Sequence, residues 1–97
     1  MTNSKFNEGD GNERPLLEFP CWFPIKAFGK NDHAFEDLVA GIVRRHVSKP
    51  EENIISSRES NEGKYLAVTV RFMAENQAQL DRIYAELDDH PHVLMLL

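Results

Sequence analysis

Two helices on one face of a four-stranded antiparallel sheet, an α+β sandwich, is the fold class this sequence predicts. Three observations predict it. Residues 65–72 alternate strictly, with Leu66, Val68, Val70 and Phe72 against Tyr65, Ala67, Thr69 and Arg71, the signature of a half-buried strand. Two later stretches change period from two to 3.6 and read as amphipathic helices. The order of elements is strand, helix, strand, strand, helix, strand.

Residues 1–14 are polar and hold two glycines, and they read as a flexible tail ahead of one domain over residues 15–97. Residues 15–24 are apolar and contain Pro15, Pro20 and Pro24. Proline lacks the N–H a ladder needs, so this stretch is expected to be extended chain packed along an edge or under a helix. Residues 25–28 predict a short first strand stopped by Gly29. Asn31 or Asp32 then caps a helix whose apolar stripe is Phe35, Leu38, Val39, Ile42, Val43 and Val47. Glu36 and Asp37 near its start and Arg44, Arg45 and Lys49 near its end complement the helix dipole. Pro50 stops it. Gly41 inside it costs roughly 1 kcal/mol against alanine, and close approach to the sheet is the expected reason.

Residues 53–60 form a weaker, polar strand suited to an edge, and Asn61-Glu62-Gly63 turns it into the opening strand as a hairpin. Asn76 with Gln79 three residues on resembles a capping box. Leu80, Ile83, Tyr84 and Leu87 make the second helical stripe, and residues 93–97 a last, wholly apolar strand. This is the βαββαβ order of the ferredoxin-like sandwich. Right-handed crossovers put the first and third strands in the centre, in spatial order 4-1-3-2.

Composition narrows the function. The chain has 97 residues, 41 % of them hydrophobic, and a net charge of −5. The acidic balance argues against nonspecific nucleic-acid or membrane-surface binding. Cys21 is the sole cysteine, so no internal disulfide forms, and a reducing, cytoplasmic setting fits. No apolar run is long enough for a signal sequence or a membrane span.

No catalytic, metal or cofactor constellation emerges. His90 and His92 beside Asp88 and Asp89 are a pair without a sensibly spaced third ligand, His33 and His46 lie at opposite ends of a helix, and Cys21 sits among Pro20, Trp22 and Phe23 as a small packed hydrophobe. The junction of Gly29, Asn31 and Asp32, with Lys26 close by, is a candidate small-ligand site, since a strand end, a glycine and a helix start occur together. The second candidate is the sheet face turned from the helices. Tyr65, Thr69 and Arg71 fall on it, with Lys26 and Phe28 of the first strand. The all-apolar last strand wants cover on both faces, and helices supply one. A second subunit is the favoured cover, giving a homodimer; Leu16, Leu17 and Phe19 folding back is the alternative. Aromatic and basic groups on central strands also suggest an RNA-binding sheet, but Ala67 and Thr69 stand where that module wants aromatics.

The ordered set Leu16-Leu17-Glu18-Phe19-Pro20, Ile25-Lys26 with Gly29, Gly63-Lys64-Tyr65, Ile83-Tyr84 with Leu87, and Val93-Leu94-Met95-Leu96 resembles the YbeD-like family of small bacterial proteins of uncharacterised function. The resemblance runs from Leu16 to Leu97. It implies a ferredoxin-like sandwich similar to ACT-type regulatory domains, which bind amino acids and pair through their sheets, and it supplies no catalytic residues. The expectation is a noncatalytic regulatory or interaction module that binds a small metabolite or a protein partner, with RNA binding as the alternative.

Overall fold

The computed structural model describes residues 17–97. Strand β1 is Cys21–Lys30, helix α1 Phe35–Arg44, β2 Ile54–Glu59, β3 Tyr65–Ala74, α2 Gln77–Asp89 and β4 Met95–Leu96, with a 3-10 turn at Pro50–Glu52. The expected tail over residues 1–14, and Leu16 as a cover for the sheet, lie outside the described residues. The sheet is antiparallel in order β2-β3-β1-β4, which is the expected 4-1-3-2 order counted from the other edge.

The alternation in β3 does what its pattern demands. Val68, Val70 and Phe72 are fully buried and Leu66 nearly so, against α1 and α2. Phe35, Val39, Ile42 and Val43 come down from α1, and Leu80, Ile83 and Leu87 from α2. Burying each such side chain is worth about 1.5–3 kcal/mol, so this single layer between helices and sheet holds the fold.

The first strand is longer than expected and passes through proline. β1 pairs with β3 along its whole length, from Cys21 opposite Ala74 to Lys30 opposite Tyr65. The reason lies in parity. Lys26 and Leu97 exchange backbone hydrogen bonds, and Leu94 N–H donates to the Phe28 carbonyl at 2.7 Å. Even-numbered β1 residues therefore turn their backbone polar groups toward β4. Pro24 is even-numbered, and its missing N–H falls past the Lys26–Leu97 pairing, where no described strand asks for a donor. Gly29 does not stop the strand either; it is one of its residues.

Helix α1 starts later and ends sooner than the stripe suggests. Asp32 forms a turn of its own: its Oδ1 accepts from Ala34 N–H at 2.9 Å and its carbonyl from Phe35 N–H at 2.8 Å. Ala34 occupies the N-cap without a side-chain bond. At the other end His46 N–H closes a tight turn onto the Val43 carbonyl, and Val47 packs on the core from outside the helix. Gly41 is also corrected. A Cβ there would meet nothing within 4 Å, so close approach to the sheet is not its reason; the structure offers no other.

Helix α2 begins as expected. Asn76 Oδ1 accepts from Gln79 N–H at 2.8 Å. The reciprocal bond lands one residue earlier than in the usual box, from Glu75 N–H to Gln79 Oε1 at 2.7 Å. The Gln79 Nε2 then donates to the His46 carbonyl at 2.8 Å, which ties the end of α1 to the start of α2.

Candidate functional site

Because β1 and β3 pair without a bulge, register alone assigns the face turned away from the helices. Four rows cross it. Ile54, Arg71 and Pro24 form one, and Ser56, Thr69, Lys26 and Leu97 the next. Arg58, Ala67, Phe28 and Met95 follow, then Tyr65 beside Lys30. Met73 beside Trp22 closes the far end. Neighbouring strands lie about 4.8 Å apart, so side chains in one row touch or nearly touch.

Two properties stand out. The face exposes large apolar groups: Trp22 at 51 %, Ile54 at 58 % and Leu97 at 65 %, with Tyr65 and Met95 about half exposed. It also gathers four cations, Lys26, Lys30, Arg58 and Arg71, and, among the described residues, no Asp or Glu side chain. None of the four has a carboxylate partner among the described residues. The chain carries −5 overall, so everything outside this face sums to −9. Among the described residues the acids sit on helices, on loops and, as Glu59, on the opposite face of β2, where Glu36 of α1 accepts from Ser57.

The residues expected at the first junction do not converge. Lys26 points to the open face in mid-sheet, while Gly29 lies on the helix-facing register. Gly29 is a packing position: an added Cβ would sit 2.5 Å from the Phe35 ring and 2.7 Å from the His92 carbonyl oxygen. Asn31 is spent on the β2–β3 turn. Its side chain donates to the Gly63 carbonyl at 2.8 Å and its N–H to Lys64 at 2.9 Å, and Gly63 itself takes a positive φ of 72°. Asp32 alone of the four lines a cavity, of about 490 Å³, in company with Lys30, Phe35, Leu38, His92 and Leu94.

Of the expected face residues, Phe28 and Thr69 are partly buried at its centre, and Tyr65 and Arg71 are exposed toward its ends. Trp22, Ile54, Arg58 and Met73 were not foreseen. Carrying the Lys26–Phe28 alternation back through Pro24 would have found Trp22.

The remaining candidates have structural places. Cys21 is half-buried on the helix side, opposite Ala74, and packs against the core. The rings of His90 and His92 lie 5.3 Å apart, and His92 N–H donates to His90 Nδ1. Among the described residues no three His, Cys, Asp or Glu side chains cluster as a metal site, and no helix is long and apolar enough to cross a membrane. His46 is held below its ordinary pKa by burial first, then by Arg82 and Arg45. Its Nε2 lies 2.8 Å from Glu86, whose other oxygen pairs with Arg45, so the neutral ring donates from Nε2. Tyr84 is pushed up by burial, and its hydroxyl donates to the Leu97 carbonyl at 3.3 Å, anchoring the last strand.

These features define a small ferredoxin-like α+β module with an open, apolar and cationic sheet face. Residues 14–97 match the family described as "Protein of unknown function (DUF493)", and the chain belongs to that family, the YbeD-like group its residues resemble. It is 40 % identical over 85 residues to the UPF0250 protein NE1487 of Nitrosomonas europaea, covering 88 % of this chain and 98 % of that one. A UPF0250 protein of Neisseria meningitidis is 41 % identical over 86 residues, covering 89 % of this chain and 94 % of the relative. The solution structure of protein HP0495 from H. pylori superposes with a TM-score of 0.68 at 10 % identity, over 96 % of this chain and 98 % of that one. That likeness shows the shared fold.

Proposed function

We propose that this chain is a noncatalytic interaction module whose open sheet face docks a protein segment bearing carboxylates and apolar side chains. One observation carries the reading: among the described residues, four cations without a carboxylate partner and several exposed apolar groups share a face that holds no Asp or Glu, on a chain that is otherwise strongly acidic. Such segregation favours encounter with an opposite charge and rejects a like one. The apolar groups supply area, and the cations supply register and choice of partner.

The charge argument also weighs the other occupants. Two copies meeting face to face would set four cations against four, so it disfavours the homodimer that the apolar last strand suggests. Single-stranded RNA would find Phe28 and Tyr65, with Trp22 at the far end, as its stacking groups, Ala67 and Thr69 standing between them, and its phosphates would extend over acidic surroundings. The ACT-like topology supports a regulatory role by analogy of fold.

An NMR titration tests the reading. The 15N-labelled protein is mixed with a peptide alternating Glu and Leu, a matching Lys/Leu peptide, or oligo-uridine. The acidic peptide is expected to shift Phe28, Thr69 and Arg71 saturably, more weakly as salt rises. Stronger shifts from the oligonucleotide, or no shift on this face from the acidic peptide, would overturn it.

A further inference from the structure

The cavity beside Asp32 is separate from the open face but shares one residue with it. It lies where the end of β1, the loop into α1, the first turns of α1 and the loop into β4 meet. At about 490 Å³ it falls within the range of small-molecule sites. Ala34, Phe35, Leu38, Pro91 and Leu94 make its walls apolar. Leu94 is left 57 % exposed.

The polar lining is Lys30, Asp32 and His92. Asp32 already accepts from Ala34 N–H through Oδ1, so part of its charge is spent within the chain. Lys30 has no carboxylate partner among the described residues. An apolar cavity whose lysine has no carboxylate partner among the described residues suits a molecule with an apolar body and one negative end.

We propose that this cavity binds a small apolar carboxylate, with its hydrocarbon part against Phe35, Leu38 and Leu94 and Lys30 as counter-ion. Lys30 also stands on the open-face register opposite Tyr65. A bound carboxylate therefore withdraws one of the four face cations and weakens acidic-partner docking, a consequence that rests on the docking role proposed above.

The test uses three ligands of one shape: 3-phenylpropanoate, its neutral amide and 3-phenylpropylamine. NMR titration of the whole chain is expected to shift Phe35, Leu38 and Leu94 saturably with the acid. The amide should bind at least ten-fold more weakly. Lys30→Met, shown to be folded by an otherwise unchanged spectrum, should bring acid and amide to equal affinity. Equal affinities in the native protein, no saturable shift, or tighter binding of the amine through Asp32 would each overturn the site. None of these outcomes touches the open-face reading, which the peptide titration tests separately. Where the Glu/Leu peptide binds, 3-phenylpropanoate should weaken it in the native protein and leave the Lys30→Met variant unaffected; indifference of the native protein would overturn the coupling.

Discussion

A Cβ placed on Gly29 would lie 2.5 Å from two atoms of the Phe35 ring, so the close approach of β1 to the first turn of α1 depends on a missing side chain. Gly29→Ala must push the ring or the backbone carbonyl of His92, which the same Cβ would meet at 2.7 Å. The carbonyl belongs to the loop before β4. The variant should lose about 3 kcal/mol, read as a fall in the urea midpoint. Adding Phe35→Leu should recover only part of the loss, because the carbonyl remains.

Gly41 should behave in the opposite way. An alanine methyl there meets nothing within 4 Å and removes backbone freedom from the unfolded chain. Gly41→Ala is expected to raise stability by about 0.5–1 kcal/mol, with a matching rise in the thermal midpoint.

Gln79 is the buried polar side chain that joins α1 to α2. Gln79→Leu keeps much of the volume but strands Glu75 N–H and the His46 carbonyl. The expected cost is about 2–3 kcal/mol in denaturant unfolding, well above that of an exposed glutamine such as Gln77.

His46 makes stability depend on pH with a definite sign. Its folded pKa lies below the ordinary value of 6.5, so between the two the unfolded chain binds more protons. Its contribution is therefore fully present above pH 6.5 and is lost as pH falls through the folded value. Urea midpoints measured from pH 7.5 down to pH 5 should decline in the native protein, and His46→Gln should flatten that decline.

How much of this was legible in the sequence varies with the reach of the interaction involved. The burial of Val68 and Val70 and the Asn76 cap depend on neighbours a few residues away, and alternation and spacing report them. The path of β1 through Pro24 does not, because the proline is tolerated only where the sheet beside it runs out. Gly29 and Gly41 look alike in the chain; one has a phenyl ring against it and the other open space. Lys26 and Arg71 could be assigned to one face by alternation. Trp22, Arg58 and Lys30 joined them only when β1 proved to be ten residues long and β2 took its register on β3. The shortage of acids on that face is a property of the folded sheet, since Glu59 and Glu62 lie close to Arg58 in the chain but not on its face.

The central claim, that the open face docks an acidic protein segment, is met most directly by photo-crosslinking in the native cell. A benzoylphenylalanine replaces Thr69, which stands at the middle of the face beside Lys26. The crosslinked peptide is sequenced, and the yield is compared with that of the same protein carrying Lys26→Glu and Arg71→Glu, exposed changes that should alter stability by less than about 0.5 kcal/mol. The account predicts a protein segment rich in carboxylates and apolar residues, with the crosslink lost on charge reversal. A crosslink to RNA, to a second copy of this chain, or to a segment whose capture ignores the charge reversal would contradict it.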